Sequence, residues 1–185
     1  MTFLSNALSL AIHRSLAKAD YDGAVRRSNT VLYWVPNSAH FTFLRGTVLL
    51  FAGRLDEAEV EIRASLAKGS GLAQSARLVN LGYIQMDKGQ FHEAIATFQR
   101  AAAIFDASGT SWEGGPRRRT TMSPRRWIRW ISGSYPGSPE RNGFGTALLE
   151  MGRKKEALEH FRGAAEADPR GAYGKRCAKA AAEMT

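Results

Sequence analysis

Two helical patterns joined at a glycine occupy residues 78–106 and constrain the fold more than any other feature of the chain. After Gly89, apolar residues recur at intervals of three and four from Phe91 through Phe98 to Phe105. This is the 3.6-residue period of a helix with one apolar face. Glycine is the residue that adopts the left-handed turn at a helix end most cheaply. The pattern therefore predicts a hairpin of two helices, and a hairpin this thin needs a neighbour to cover its apolar face.

The rest of the chain supplies such neighbours, because the same spacing returns in three other places. In each copy an alanine follows the first turn of the second helix, and the first three of these alanines are 34 and 36 residues apart. A fixed period of this length indicates stacked repeats that share a continuous core. The four alanines are Ala24, Ala58, Ala94 and Ala157.

At these positions the sequence resembles the tetratricopeptide repeat family. Repeats of that family carry a small residue on the first helix, the alanine described above, a large apolar residue one turn later and a closing proline. The small-residue position holds Ile12, Gly46, Gly82 and Gly145. The large apolar position holds Ser28, Ile62, Phe98 and Phe161. The first copy departs from the family at both positions, and the closing proline is present only as Pro36 and Pro169.

The resemblance implies an all-α fold, namely a right-handed α-solenoid of helix-turn-helix pairs with an irregular basic insert. We also expect Trp34 and Val35 to pack towards the second repeat, and the N-terminal segment to be a folded helix rather than a signal peptide. The expected organisation is three repeats in residues 1–108, an irregular insert or degenerate repeat in 109–137, a further repeat in 138–171 and a capping helix in 172–185.

The insert at residues 109–137 is strongly basic. It holds six arginines and one acid, so it supplies more than half of the formal net charge of +9. The six are Arg117, Arg118, Arg119, Arg125, Arg126 and Arg129.

Three interpretations of the insert remain open. It could be a functional element in which Trp127, Trp130 and Ile131 share a helix face and the arginines contact nucleic acid or an anionic membrane surface. It could be a degenerate repeat whose arginines are solvated. It could also be an ancestral repeat corrupted by a local frame shift, because the repeat spacing is lost after Trp112.

Catalytic and metal-binding patterns are missing from the sequence. The four histidines are not at metal-ligand spacing, and no P-loop, GxSxG, HExxH or CxxC motif occurs. We therefore expect no enzyme, cofactor, metal or small-molecule substrate, and surface positions for His92 and His160. The single cysteine, Cys177, permits no intrachain disulfide, which fits a reducing compartment and a cytoplasmic location. No apolar run approaches the ~18 residues of a membrane span.

A binding surface is what remains, and the resemblance implies where it lies. In the family, residues on the first helix of each pair line a concave groove that holds a peptide or a partner helix. Carried over to this sequence, the groove residues are His13, His40, Phe43, Thr47, Leu50, Phe51, Val79, Tyr83, Met86 and Asp87. The subclass that clamps an acidic C-terminal carboxylate is not expected, since its groove positions hold Ser9, His13, Phe43 and Thr47 here.

Such a lining is mostly apolar and aromatic, so it suits an apolar or amphipathic peptide or helix of another protein. The expected function is a non-catalytic protein-interaction module or adaptor. The alternative is a nucleic-acid or anionic membrane-surface binder that works through residues 116–131.

Overall fold

A computed structural model describes residues 2–69, 72–107, 143–167, 169 and 172–185. These residues form nine α-helices and no strands, which confirms the predicted all-helical fold for this part of the chain. The predicted insert at 109–137 lies outside the described residues, so the division into domains stays a prediction. The helices are α1 (Thr2–Ala17), α2 (Tyr21–Trp34), α3 (Ala39–Phe51), α4 (Leu55–Lys68), α5 (Leu72–Asp87), α6 (Phe91–Ala107), α7 (Gly143–Glu150), α8 (Lys154–Ala167) and α9 (Ala172–Glu183).

The helices pack in chain order. Each predicted pair, from α1 with α2 to α7 with α8, is in contact, and α9 packs on α8. The pairs are joined through α2 with α3, α4 with α5, and α6 with α7. Three apolar clusters follow the same order, the first centred on α1 to α3, the second on α3 to α5 and the third on α5 to α9. Each pair therefore completes its core with its neighbours, as the repeat pattern predicted.

The turn inside each pair has the same left-handed geometry. Gly53, Gly89 and Gly152 have φ of 74°, 75° and 72°. After each glycine a backbone N–H returns to the end of the preceding helix; the N–H of Gln90, for example, donates to the carbonyl of Gln85 at 2.8 Å. In this motif the glycine satisfies otherwise free carbonyls at the helix end.

The first pair makes the same turn without a glycine. Ala19 takes the left-handed conformation there with φ of 54°, and the N–H of Asp20 donates to the carbonyl of Ser15 at 2.9 Å. Because the Cβ of alanine disfavours this conformation, the first turn carries strain that the three glycine turns avoid.

The two helices of a pair cross where the family pattern has its small and large residues. All four repeat alanines are fully buried. In the first pair the sizes are exchanged, with Ile12 on the first helix and Ser28 on the second, and both are fully buried. The departure of this copy from the family pattern is therefore a change of side-chain sizes within a buried helix crossing.

One packing prediction was wrong. Trp34 is 76% exposed and forms an edge-to-face pair with Tyr33, which is 79% exposed. The buried face at the end of α2 is occupied by Val31 and Leu32, and Val35 continues it against the first cluster. Trp34 falls outside this stripe, so it projects into solvent.

Across the described helices, none combines the length and the apolar character that crossing a bilayer requires.

Candidate partner-binding surface

The first helices of successive pairs lie side by side. α1 contacts α3, α3 contacts α5, and α5 contacts α7. These four helices thus present one continuous face, which we call the first-helix surface. It is formed by the same helices to which the predicted groove residues belong.

The predicted groove residues divide between the interior and the surface. Four of them are buried between helices, namely Phe43, Thr47, Val79 and Met86. Four are half-buried, namely His13, Leu50, Phe51 and Tyr83. Two are exposed, namely His40 and Asp87. The role of these residues in holding a partner remains a prediction.

Two side chains tie α3 to α5 beneath this surface. The amide Nδ2 of Asn80 donates to the hydroxyl of Thr47 at 2.8 Å. That hydroxyl donates in turn to the carbonyl of Phe43 at 2.9 Å, and Thr47 has no exposed area. Buried polar groups are stable when each has a partner, so this chain of hydrogen bonds fixes the alignment of the two helices.

The imidazoles of His13 and His40 lie on α1 and α3. The Oγ of Ser9 and the Nε2 of His40 are 2.9 Å apart, which links the two helices. Burial lowers the pKa of His13. The pKa of His40 is lowered mainly by desolvation, and also by the positive charges of His13 and Arg77. Both rings are therefore neutral at neutral pH. In this form each imidazole has one nitrogen that donates a hydrogen bond and one that accepts.

The aromatic part of the surface is centred on Tyr83. Its ring meets the ring of Phe98 edge to face, with centroids 5.4 Å apart. Gly143 approaches both rings so closely that a Cβ there would lie 2.6 Å from each. The Tyr83 ring is thus held by α6 and α7 while part of it reaches the surface.

Arg77 on α5 was not predicted as a functional residue. It is only 6% exposed, and its Nε and Nη1 are buried without a hydrogen-bond partner. The guanidinium carbon lies 6.0 Å from the centroid of the Phe43 ring. A surface position is the usual expectation for arginine, and the sequence around it carries no signal of burial.

Two further observations concern metal-binding and nucleophilic side chains in the described residues. They contain no group of three or more His, Cys, Asp or Glu side chains able to hold a metal ion. Cys177 is fully buried in the third cluster. The basic residues predicted as an alternative site, Arg117 to Arg129, lie outside the described residues.

The expected surface position of His160 was wrong. Its ring packs on Phe144, with centroids 5.0 Å apart, and its Nε2 is buried without a hydrogen-bond partner. Burial lowers the pKa of this imidazole.

Comparison with known proteins supports the predicted family. Residues 76–106 and 142–170 match the family model described as tetratricopeptide repeat. These two segments of the chain are tetratricopeptide repeats. The two matched segments are the third and the last of the predicted repeats, and they contain the Gly82–Phe98 and Gly145–Phe161 pairs. No curated protein matches the chain significantly by sequence.

A solved structure has a similar fold. The structure titled "Crystal structure of MamA" is similar, with a TM-score of 0.54 and 16% sequence identity. The similarity covers 92% of this chain and 90% of that one. At this identity the likeness concerns the fold alone.

Proposed function

We propose that the chain is a non-catalytic adaptor that binds a peptide or a helix of another protein on its first-helix surface. Tetratricopeptide repeats generally mediate protein–protein interaction. We further propose that the pairs coil into a right-handed solenoid, with the first helices on the inner, concave side. The observation that carries the proposal is the continuous contact of α1, α3, α5 and α7.

The composition of the first-helix surface supports an amphipathic occupant. Leu50, Phe51 and Tyr83 are half-buried, so each rests on the core and still offers area to a partner. Aromatic side chains anchored in this way are typical centres of binding energy. Exposed His40 and Asp87 add polar contacts, which suits a peptide with one apolar and one polar face.

The burial of each side chain decides which of the predicted groove residues are suitable for a binding test. Phe43 and Met86 are 8% and 9% exposed, and both belong to apolar clusters between helices. Truncating them would open cavities and lower stability whether or not a partner were present. Leu50, Phe51 and Tyr83 are therefore the better test positions.

The experiment is a selection of peptides from a random display library on the immobilised full chain, followed by titration calorimetry with one enriched peptide. Replacing Leu50 and Phe51 separately by alanine should weaken binding of that peptide by ~1–3 kcal/mol each. Circular dichroism melts of each variant would establish that the fold is retained. Failure to enrich any peptide, or unchanged affinity in both variants, would contradict the proposal.

A matched control is available on a second helix, away from the first-helix surface. Tyr33 and Trp34 are aromatic, strongly exposed and placed on the second helix of their pair. Replacing both by alanine removes more exposed aromatic area than the test variants do, but away from the first-helix surface. We expect this variant to bind the selected peptide as the unaltered chain does.

The cellular location that we propose is the cytoplasm. Cys177 is the only cysteine, and it is buried as a thiol in the third cluster. A chain without disulfides fits a reducing compartment. Fractionation of cells that express a tagged full chain would test this, and recovery outside the cytoplasm would contradict it.

A further inference from the structure

Arg77 lies in a slot between the start of α3 and the joint that precedes α5. One wall of the slot is the Phe43 ring. The other is Gly69, where an added Cβ would stand 2.8 Å from Nη1 and 3.0 Å from Nη2 of the guanidinium. The position is thus shaped to the guanidinium, because any side chain at residue 69 would push it away.

No group in the described part of the chain neutralises this cation. Nε and Nη1 are buried and unpaired. Nη2 is not one of the buried, unpaired nitrogens and forms no hydrogen bond with the described residues, so it is the open edge of the guanidinium. Burial of a charge without a partner is costly, and it lowers the pKa of Arg77. An unpaired, buried arginine that keeps one open edge is therefore better explained by a ligand than by stability.

A second cation occupies the same joint. The Nζ of Lys68 donates to the carbonyl of Pro36 at 3.1 Å and to the hydroxyl of Thr42 at 3.3 Å. Lys68 precedes Gly69 and Thr42 precedes Phe43, so both cations are held by the same two stretches of chain. Neither partner of Lys68 carries a charge, and within the described residues Lys68 forms no ion pair.

The surroundings add positive potential. The positive charge of Arg77 acts on His40, which is exposed near the start of α3. Neither α3 nor α5 has an acidic residue in its first turn, so no carboxylate there offsets the partial positive charge of either helix start. We call the cations Lys68 and Arg77, together with the adjacent neutral imidazole of His40, the basic rim. His40 also belongs to the predicted groove.

We propose that the basic rim is an anion-binding site in which Arg77 takes the carboxylate of an acidic side chain from the protein bound on the first-helix surface. The inference rests on the function proposed above and adds the polar anchor of the partner. A carboxylate matches the guanidinium, because the open Nη2 can donate a charge-assisted hydrogen bond to one of its oxygens. The residues differ from Ser9, His13, Phe43 and Thr47, which occupy the positions of the family's carboxylate clamp.

The first test is the stability of the unliganded chain. Replacing Arg77 by leucine removes an unpaired buried charge and keeps an apolar contact with Phe43. We expect the urea midpoint of Arg77→Leu to be equal to or higher than that of the unaltered chain. A clear fall in the midpoint would overturn the proposal, because it would show that the guanidinium already has stabilising partners.

The second test is direct binding of sodium acetate to the full chain. The Nε–Hε resonance of Arg77 should shift saturably with acetate at constant ionic strength, and sodium chloride alone should not shift it. Acetate should also shift the ring resonances of His40, and Arg77→Leu should abolish that shift. An unshifted Nε–Hε resonance would overturn the proposal, as would inorganic phosphate binding more tightly than acetate.

The Gly69→Ala variant changes the wall of the slot and keeps the charge of Arg77. Its Cβ would displace the guanidinium, and the φ of −147° at this residue is accessible to alanine. We expect the fold to be retained and the acetate affinity to fall at least about threefold. Unchanged acetate affinity in Gly69→Ala would contradict the proposed geometry.

A peptide selected on the full chain separates this proposal from the proposed function. If the peptide contains glutamate, its replacement by glutamine should weaken binding about tenfold or more to the unaltered chain and leave Arg77→Leu unaffected. Groove binding without any effect of this replacement or of acetate would refute only the anion site. Acetate binding at Arg77 without any peptide enrichment would refute only the adaptor function.

Discussion

Gly82 and Phe98 touch where α5 crosses α6. A Cβ on Gly82 would lie 2.6 Å from Cε1 of the phenylalanine ring, closer than real carbon atoms approach. The same close approach recurs at two other crossings. A Cβ on Gly46 would lie 2.7 Å from Cδ1 of Ile62, and a Cβ on Gly145 would overlap the ring of Phe161. These helix crossings set the spacing of the repeats, and thereby the first-helix surface.

Replacing Gly82 by alanine should destabilise the chain. The added methyl group must displace the Phe98 ring, which is 9% exposed and also packs on Tyr83. Overpacking of this kind costs ~1–3 kcal/mol, whereas the higher helix propensity of alanine returns about 1 kcal/mol at most. Urea unfolding followed by circular dichroism measures the difference.

Gly163 provides the control for this prediction. It lies inside α8, and a Cβ there would meet nothing within 4 Å. Gly163→Ala should therefore stabilise the chain by ~0.5–1 kcal/mol through helix propensity alone. If both alanine variants changed stability in the same direction, close helix crossing at Gly82 would be the wrong explanation.

The strained turn at Ala19 predicts a stabilising substitution. Ala19→Gly should relieve the strain of alanine in the left-handed conformation, which is adopted by glycine in the other three turns. We expect a gain of about 1 kcal/mol in the free energy of unfolding. The reverse change, Gly89→Ala, should lower it by a similar amount. Thermal melts of the two variants should shift in opposite directions, and parallel shifts would contradict the assignment.

The hydrogen bond between Asn80 and Thr47 predicts energetic coupling of the second and third repeats. Thr47→Val removes the hydroxyl at nearly constant volume and should cost about 1 kcal/mol. A double-mutant cycle with Asn80→Ala should give a coupling energy of ~0.5 kcal/mol or more. Additive effects of the two substitutions would mean that the bond contributes nothing to the alignment of α3 and α5.

Buried imidazoles predict a loss of stability in acid. The pKa of His160 in the folded chain lies below its ordinary value of 6.5 because of burial. Above pH 6.5 the imidazole is neutral in both states and has no effect. As the pH falls below 6.5, the unfolded chain takes up a proton that the folded chain resists, so the free energy of unfolding declines.

His160→Phe isolates the contribution of His160 to this decline, since the new ring suits the aromatic surroundings. Urea unfolding at a series of pH values should show a shallower fall in stability below pH 6.5 for this variant. His92, which is exposed on α6, is the matched control, and His92→Gln should keep the original slope. An unchanged slope in His160→Phe would contradict the burial effect.

The sequence predicted the helices well because their ends carry strong local signals. Gly53, Gly89 and Gly152 adopt the left-handed turns expected of them, and the α6 pattern begins at Phe91 as predicted. The alanine spacing correctly identified the buried crossings, since Ala at these positions leaves room for the neighbouring helix. These features depend on local backbone geometry and on a repeated period, both of which the sequence displays.

Features that depend on the neighbours of a single side chain could not be predicted in the same way. Arg77 is buried because Gly69 and Phe43, far apart in sequence, form the two walls around it. His160 lies among polar residues on α8, yet its ring reaches Phe144 of the preceding helix. Trp34 differs from these two residues, because its exposure could have been predicted. The apolar stripe of Val31, Leu32 and Val35 leaves Trp34 outside the buried face of α2.

The most direct test of the account is hydrogen exchange of the full chain with and without a selected peptide. We expect the peptide to slow exchange in α1, α3 and α5, which belong to the first-helix surface, while amides of α2 and α4 change little. Protection confined to α2 and α4, or no protection at saturating peptide, would contradict the proposal that the first helices hold the partner.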